Sequence, residues 1–412
     1  MKAPNKNQGM STLMNHIQLE QNPYRAHITP IYQTSVFTFP DVASAAEIYS
    51  GEKQGYSYTR TANPNVSLLE TKLAVLEGWD LLGGKNPEAI HEIVGARVFA
   101  SGMAAVSSAL LAMLGKGDTV LAQRALYGGT YGFLEDIAPR SGIRVHYVEE
   151  NSPEGWASAF EAHPGARLAY AETPANPGME IIDLAMLCDL AHEHDCAVMV
   201  DNTFATPYCQ RPLTLGADVV LHSTTKYLAG HGVIIGGAVI STQLGFIRDD
   251  VHLHRKRLGG SASPFDAWLI DLGLKTFELR MQRHCSNAMA VAQHLEAHPQ
   301  VEEVYYPGLE THAGHEIARR QMSDFSGMLS FELRGGFQAA EKMLNSVRTA
   351  TLGVSLGNVD TLIQHPAGMT HFHVPPDVRK EMGISDGLIR LSVGIENLDD
   401  LLADLDQALD QV

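Results

Sequence analysis

The segment DVVLHSTTKYLAGHG brings two hydroxyls and an amine into a short stretch of chain. Apolar DVVLH reads as a buried strand, and Ser223, Thr225 and Lys226 follow it. Residues two apart on an extended chain face one side, so Ser223 and Thr225 would present both hydroxyls together while Lys226 points elsewhere. Two hydroxyls beside one lysine suit a phosphorylated aldehyde, with the hydroxyls on phosphate oxygens and the amine condensed with the aldehyde. A lysine at a strand end more often snorkels to water, so the segment does not decide the matter alone. A second apolar run, AVMVDNTFATP, ends on Asp201. In a parallel sheet, ligands gather at the carboxyl ends of strands. Asp201 would there keep a pyridine nitrogen protonated, making the ring an electron sink, as carbanion chemistry on pyridoxal phosphate (PLP) requires.

Three further segments fit the same chemistry. In ASGMAAVSSALLAML a strand and a glycine turn open a helix, and the free amides of Gly102 and Met103 would face an anion such as phosphate. In ALYGGTYGFL, Tyr127 precedes two glycines that would let a planar ring approach, with Tyr127 stacking on it. In GLIRLSVGIEN, Arg390 interrupts an apolar strand. A buried arginine needs an anionic partner, and a substrate α-carboxylate held bidentately meets that need. Each segment also has a blander reading as a turn, a cap or an ordinary core position.

The elements that must position these residues are legible as seven short apolar runs: RVFA, DTVLA, RVHYV, RLAYA, AVMVD, DVVLH and IIGGAVI. Helix-like stretches such as MAAVSSALLAML and LAMLCDLAHEH separate several of them. Continuous apolar strands alternating with helices predict an α/β fold, a mainly parallel seven-stranded sheet with helices on both faces. Residues 1–60 are aromatic-rich and irregular and read as an arm lying on another surface, while 61–265 form the α/β domain. Residues 266–412 read as a smaller α+β domain: a long helical stretch over 266–298, the strand GMLSFELRG, a helix, the strand LIRLSV and a final helix.

Bulk composition narrows the function classes. The net charge of −17 disfavours nucleic-acid and anionic-membrane binding. No apolar run is long enough for a membrane span, and the polar start resembles no signal peptide, so the expected location is cytoplasmic. Cys188, Cys196, Cys209 and Cys285 form no CxxC pair and read as reduced thiols. No metal site is expected. His192, His194 and Cys196 straddle a helix end, and His371 and His373 are likewise read as surface residues. His222 and His231 flank the lysine segment and read as structural.

Taken in order, these segments resemble the Cys/Met-metabolism family of fold-type I PLP enzymes, which includes the trans-sulfuration enzymes. The likeness runs from about Ile28 to the C-terminus. Its motifs are HSxTKYLxGH around Lys226, YxRxxNP (Tyr58, Arg60, Asn63, Pro64), SGMAA, YGGT, ETPANP, VDNTFATP and VSLGNVDTLIQHPAGMTH. The resemblance implies that Lys226 is the Schiff-base lysine, Asp201 the partner of the pyridinium nitrogen and Tyr127 the stacking residue and acid for the leaving group. Ser223, Thr225, Gly102 and Met103 would bind phosphate, joined by Tyr58 and Arg60 from a neighbouring subunit. Arg390, Ser355 and Asn176 would hold the substrate carboxylate. The arm would complete the partner's site, and a homotetramer is the implied assembly.

Within the family, FTFPDVASAAEIYSGEKQGYSYTR and the segment after Val354 are most similar to methionine γ-lyases. The implied reaction is γ-elimination on an amino acid such as methionine or homocysteine. The alternative is γ-replacement or γ-elimination on an O-substituted homoserine-type substrate, as in O-acetylhomoserine sulfhydrylases, cystathionine γ-synthases and γ-lyases, or a canavanine γ-lyase. That alternative draws on departures: methionine γ-lyases typically carry cysteine at Gly129 and an acidic residue at Lys256. Val233 and its following IIGG are nearer to O-acetylhomoserine sulfhydrylases, and Val354 stands where cystathionine enzymes usually have glutamate. Arg255 lies in the stretch expected to shape the pocket, and Gly83–Gly95 reads as an inserted loop.

Overall fold

The computed structural model describes residues 8–19, 24–370, 372, 377, 379 and 383–412. His371 and His373 lie outside the described residues.

All seven apolar runs are strands of one sheet. They are β1 (Gly95–Phe99), β2 (Thr119–Gln123), β3 (Arg144–Val148), β4 (Leu168–Glu172), β5 (Ala197–Asp201), β6 (Val219–His222) and β7 (Gly237–Ser241). Their spatial order is β1-β7-β6-β5-β4-β2-β3. Strands β2 to β6 pair in parallel, while β7 runs antiparallel to both β6 and β1. Every residue of β2, β4 and β6 is buried, as expected of strands covered on both faces. Parallel pairing sends Glu172 and Asp201 to the same edge of the sheet, where β4 and β5 set them opposite each other in register.

Helix boundaries follow local chemistry. Asn63 caps the helix Pro64–Glu77, whose first residue is proline, and Ser101 caps Gly102–Met113 through the Ala104 amide. The predicted helical stretch over 266–298 is two helices, Pro264–Leu274 and Phe277–Glu296. A second sheet follows in the order β10-β11-β12-β9-β8, comprising β8 (Val301–Tyr305), β9 (Met328–Leu333), β10 (Thr351–Leu352), β11 (Leu362–Gln364) and β12 (Leu388–Ser392). The Gly83–Gly95 segment contains a 3-10 helix over Pro87–Glu92, with Ile90 and Val94 fully buried.

The N-terminal segment differs from its irregular reading. It holds two helices, α1 (Met10–His16) and α2 (Val42–Ser50). Helix α1 is docked on its own chain: Leu13 and Met14 are buried, each burial contributing roughly 1.5–3 kcal/mol. Lys72, itself fully buried, donates to the Met14 carbonyl at 2.6 Å and pairs with Asp271 at 2.5 Å. Val36, Val42 and Tyr49 farther along remain exposed. Among the described residues no helix is long and apolar enough to cross a membrane.

Candidate active site

The extended geometry expected over Ser223–Thr225 is absent. β6 ends at His222 and the chain turns from Thr224 to Ala229. The Thr225 hydroxyl is consequently drawn to backbone, accepting from the Gly236 amide at 3.0 Å and donating to the Gly236 carbonyl at 3.2 Å. Ser223 instead faces the start of the helix Gly102–Met113 (α4 hereafter, α3 being Pro64–Glu77), where a Cβ on Gly102 would lie 3.1 Å from its Oγ. This close approach favours glycine at 102 and sets a hydroxyl beside a capped helix N-terminus.

The turn carries Lys226 against the C-terminal part of the chain. Its Nζ donates to Ser355 Oγ at 2.7 Å. Burial, reinforced by the Arg390 charge, lowers the Lys226 amine to about 8. Ser355 has φ +85°, a conformation that non-glycine residues seldom hold without a reason. In it the Ser355 carbonyl accepts from Arg390 Nη2 at 2.7 Å, and Asn176 Oδ1 accepts from Nη1 at 2.9 Å. Arg390 is 5% exposed and its Nε is buried without a partner. Among the described residues no carboxylate pairs with it, so a buried cation waits on an outside anion beside the Lys226 amine.

On the large sheet, Asp201 Oδ1 accepts from the Thr203 amide at 2.9 Å and the Thr203 hydroxyl at 2.5 Å. Burial raises the Asp201 carboxyl, and the Thr203 bonds and His222 act against that rise. His222 Nε2 meets Glu77 Oε1 at 2.5 Å within the core, which fits its structural reading. Tyr127 precedes α5 (Gly128–Gly132) and donates its backbone N–H to Glu172 Oε2 at 2.8 Å. Its ring is half-exposed and lies where a side chain on Gly129 would go: a Cβ there would be 2.6 Å from Tyr127 Cε1 and 2.8 Å from Met103 Sδ.

Tyr58 and Arg60 do not join this group on their own chain. Both are exposed, with the Arg60 guanidinium 5.5 Å from the Tyr58 ring centroid. Arg255 is a structural tie, buried and donating to Glu70, Val98 and Thr61. Val233 and Val354 are exposed and Lys256 is half-buried. His192 bonds to Asp218, and His231 to the Ala229 carbonyl. Among the described residues no group of side chains could hold a metal ion, and all four cysteines are free and buried.

Three residues with a place in this geometry were given no role by the sequence reading, although Glu172 and Thr203 lie in the ETPANP and VDNTFATP motifs. Glu172 ends the apolar run LAYAE as Asp201 ends AVMVD, so the same signal would have found it. Thr203 follows Asp201 by two, the spacing at which Asp closes a turn on its own backbone. Arg280 donates to the carbonyls of Tyr227 at 2.7 Å, Leu228 at 3.4 Å and Gly273 at 2.9 Å, bracing the turn that bears Lys226. Nothing in its own helix announces that contact.

The family model described as Cys/Met metabolism PLP-dependent enzyme matches residues 11–410. The chain belongs to this family. An L-methionine gamma-lyase of Fusobacterium nucleatum subsp. polymorphum is 44% identical over 410 residues, 99% of either chain. A cystathionine gamma-lyase of Bacillus subtilis is 41% identical over 385 residues, 93% of this chain and 94% of the other. The crystal structure of cystathionine gamma synthase from Xanthomonas oryzae pv. oryzae in complex with cystathionine has a TM-score of 0.89 at 37% identity, covering 98% of each chain. As a member of the Cys/Met metabolism family this chain is a PLP-dependent enzyme acting on γ-substituted amino acids. The geometry fits the cofactor: an amine of lowered basicity on the turn after β6, a carboxylate at the end of β5, a glycine–serine cradle at a helix start and an arginine lacking an anion.

Proposed function

We propose that this enzyme expels the γ-substituent of methionine or homocysteine by elimination, with the residues above in the following roles. Lys226 holds the cofactor. Asp201 faces its ring nitrogen, Tyr127 stacks on the ring, and Ser223 and the Gly102 and Met103 amides hold phosphate, joined by Thr225 once its hydroxyl turns from the Gly236 carbonyl. Pyridoxal phosphate, when bound, supplies an aldehyde for the substrate amine and a ring that spreads the charge left by α-proton removal.

The observation that carries the reading is Arg390, a buried guanidinium without a carboxylate, one residue removed from the Lys226 amine through Ser355. A substrate α-carboxylate on Arg390 and Asn176 brings the α-carbon within reach of Lys226. With an amine lowered to about 8, a useful fraction of Lys226 is neutral near physiological pH and able to accept the α-proton. Lys226 then assists loss of a β-proton, and the Tyr127 hydroxyl donates a proton to the departing group. Hydrolysis leaves 2-oxobutanoate and ammonia. If a nucleophile adds at the γ-carbon, the outcome is replacement.

A second reading, an O-linked substrate such as an O-acylhomoserine or canavanine, rests on Gly129. With glycine there the Tyr127 ring lies close over residue 129 and Met103, and no thiol lines that position. The proposed assembly is a homotetramer, a pair of dimers whose sites share Tyr58 and Arg60, and the proposed location is the cytoplasm.

Substrate competition distinguishes the two readings. The holoenzyme receives an equimolar mixture of methionine, homocysteine, cystathionine, O-acetylhomoserine and canavanine, and mass spectrometry follows the depletion of each. Methanethiol and 2-oxobutanoate from methionine are expected. Preferential loss of an O-linked compound would favour the second reading, and no turnover with cofactor bound at Lys226 would overturn both.

A further inference from the structure

Glu172 and Asp201 are register partners on adjacent parallel strands, which sets two carboxyl groups side by side at one sheet edge. Glu172 is 5% exposed, and no lysine, arginine or histidine bonds to it among the described residues. Its Oε2 accepts the Tyr127 backbone N–H at 2.8 Å. Its Oε1 is buried without a bond of good geometry, and so are the hydroxyls of Thr130 and Tyr170. Tyr170 lies two residues back on β4, on the same face as Glu172. Thr130, on α5, brings its hydroxyl close to both the Glu172 carboxyl and the Tyr170 phenol. Two orphaned hydroxyls thus lie beside one carboxyl group that has an orphaned oxygen of its own and no cation.

Two carboxylates at this spacing in a water-poor site cannot both ionise cheaply, so one proton is retained between them. Its location follows from the donors on each side. Asp201 Oδ1 receives both an N–H and an O–H from Thr203, and His222 at the end of β6 also favours its ionised form. Glu172 has one strong donor, the Tyr127 amide, from the segment leading into α5, and faces only the neutral Thr130 and Tyr170 otherwise. Gln123, from β2, bonds the Glu172 backbone N–H and not the carboxyl.

We propose that Glu172 is a positioning residue held as the neutral acid. Its carbonyl oxygen anchors Tyr127 through the backbone, and its hydroxyl donates into the Thr130–Tyr170 pair, leaving the single negative charge on Asp201. Burial first and the Asp201 charge second push the Glu172 carboxyl well above the usual carboxylate range, consistent with this arrangement. The consequence for catalysis rests on Asp201 facing the ring nitrogen. The protonation state and the anchor do not.

The test uses infrared difference spectroscopy near neutral pH on wild type and Glu172→Gln, each with and without PLP. A protonated-carboxyl stretch is expected in wild type and absent from Glu172→Gln. Glutamine can accept from Tyr127 and donate to Thr130, so PLP affinity, measured by equilibrium dialysis, should change by no more than about threefold. Glu172→Ala loses both bonds and should weaken PLP binding by about tenfold or more. Absence of the carboxyl stretch in wild type, or Glu172→Gln weakening PLP as much as Glu172→Ala, would overturn the proposal. Asp201→Asn serves as the separate control. If it binds PLP and turns over substrate normally, the role given to Asp201 fails while the Glu172 signal still stands or falls alone.

Discussion

In the proposed mechanism, burial tunes Lys226 for two tasks. The unfolded lysine holds its proton up to about 10.5, the folded one only up to about 8, because burial and then Arg390 disfavour the ammonium form. Below about 8 both states are protonated, and the folded protein carries the full cost of the buried charge. Between the two values the unfolded chain binds more protons, so folding stability rises with pH across that window. Lys226→Met has no proton to lose there. In cofactor-free protein it should be the more stable of the two at neutral pH, and its advantage should shrink by up to about 3 kcal/mol near the top of the window. Urea unfolding of both proteins at the two ends of the window measures this. An advantage independent of pH would mean that Lys226 is not held as a costly buried ammonium ion. Asp201 and Arg390 stood out in the sequence because each is a charge that ends or interrupts an apolar run, while Lys226 stood out by the two hydroxyls beside it.

At the scale of elements, the sequence was informative about what lies inside a strand and poor about what lies just past its end. Runs such as β2, β4, β6 and β7 were visible because a strand covered on both faces carries few polar residues to hide it. The geometry at Ser223–Thr225 was misjudged because period-two alternation holds only on extended chain, and β6 stops at His222. What shapes the turn beyond it is remote: Arg280 in the helix Phe277–Glu296 donates to the Tyr227 and Leu228 carbonyls, a contact no local pattern encodes. A Cβ on Gly230 would fall 2.1 Å from Arg280 Nη1, so glycine there, at φ +74°, both makes the turn and admits the guanidinium. Arg280→Met would leave buried carbonyls unsatisfied, costing about 3 kcal/mol or more. It should also weaken PLP binding, because the turn that carries Lys226 loses its brace. Urea unfolding and cofactor dialysis read the two effects separately. A stability loss without a loss of PLP affinity would show that the helix supports the core and not the turn.

For the whole molecule, the N-terminal segment divides into two parts with different physics. Helix α1 belongs to its own chain, pinned by Leu13, Met14 and the buried Lys72–Asp271 pair. From Val36 to Arg60 the chain instead presents apolar and aromatic side chains to solvent, with Val42 86% and Tyr49 73% exposed. Exposed apolar side chains gathered on one segment mark a surface that another chain covers. Tyr58 and Arg60 lie at the end of this stretch and bond to none of the side chains around Lys226 in their own subunit, so their use as phosphate ligands requires a neighbour. Lys226→Ala and the double variant Tyr58→Phe, Arg60→Ala should each be nearly inactive alone. Co-expressed, they should form hybrids in which one site combines an intact Lys226 with an intact arm from the other chain. Activity should therefore rise well above the sum of the two separate variants. If instead the mixture gives only that sum while hybrids are demonstrably present, Tyr58 and Arg60 act within their own subunit, and the exposed stretch must be covered for reasons other than completing a site.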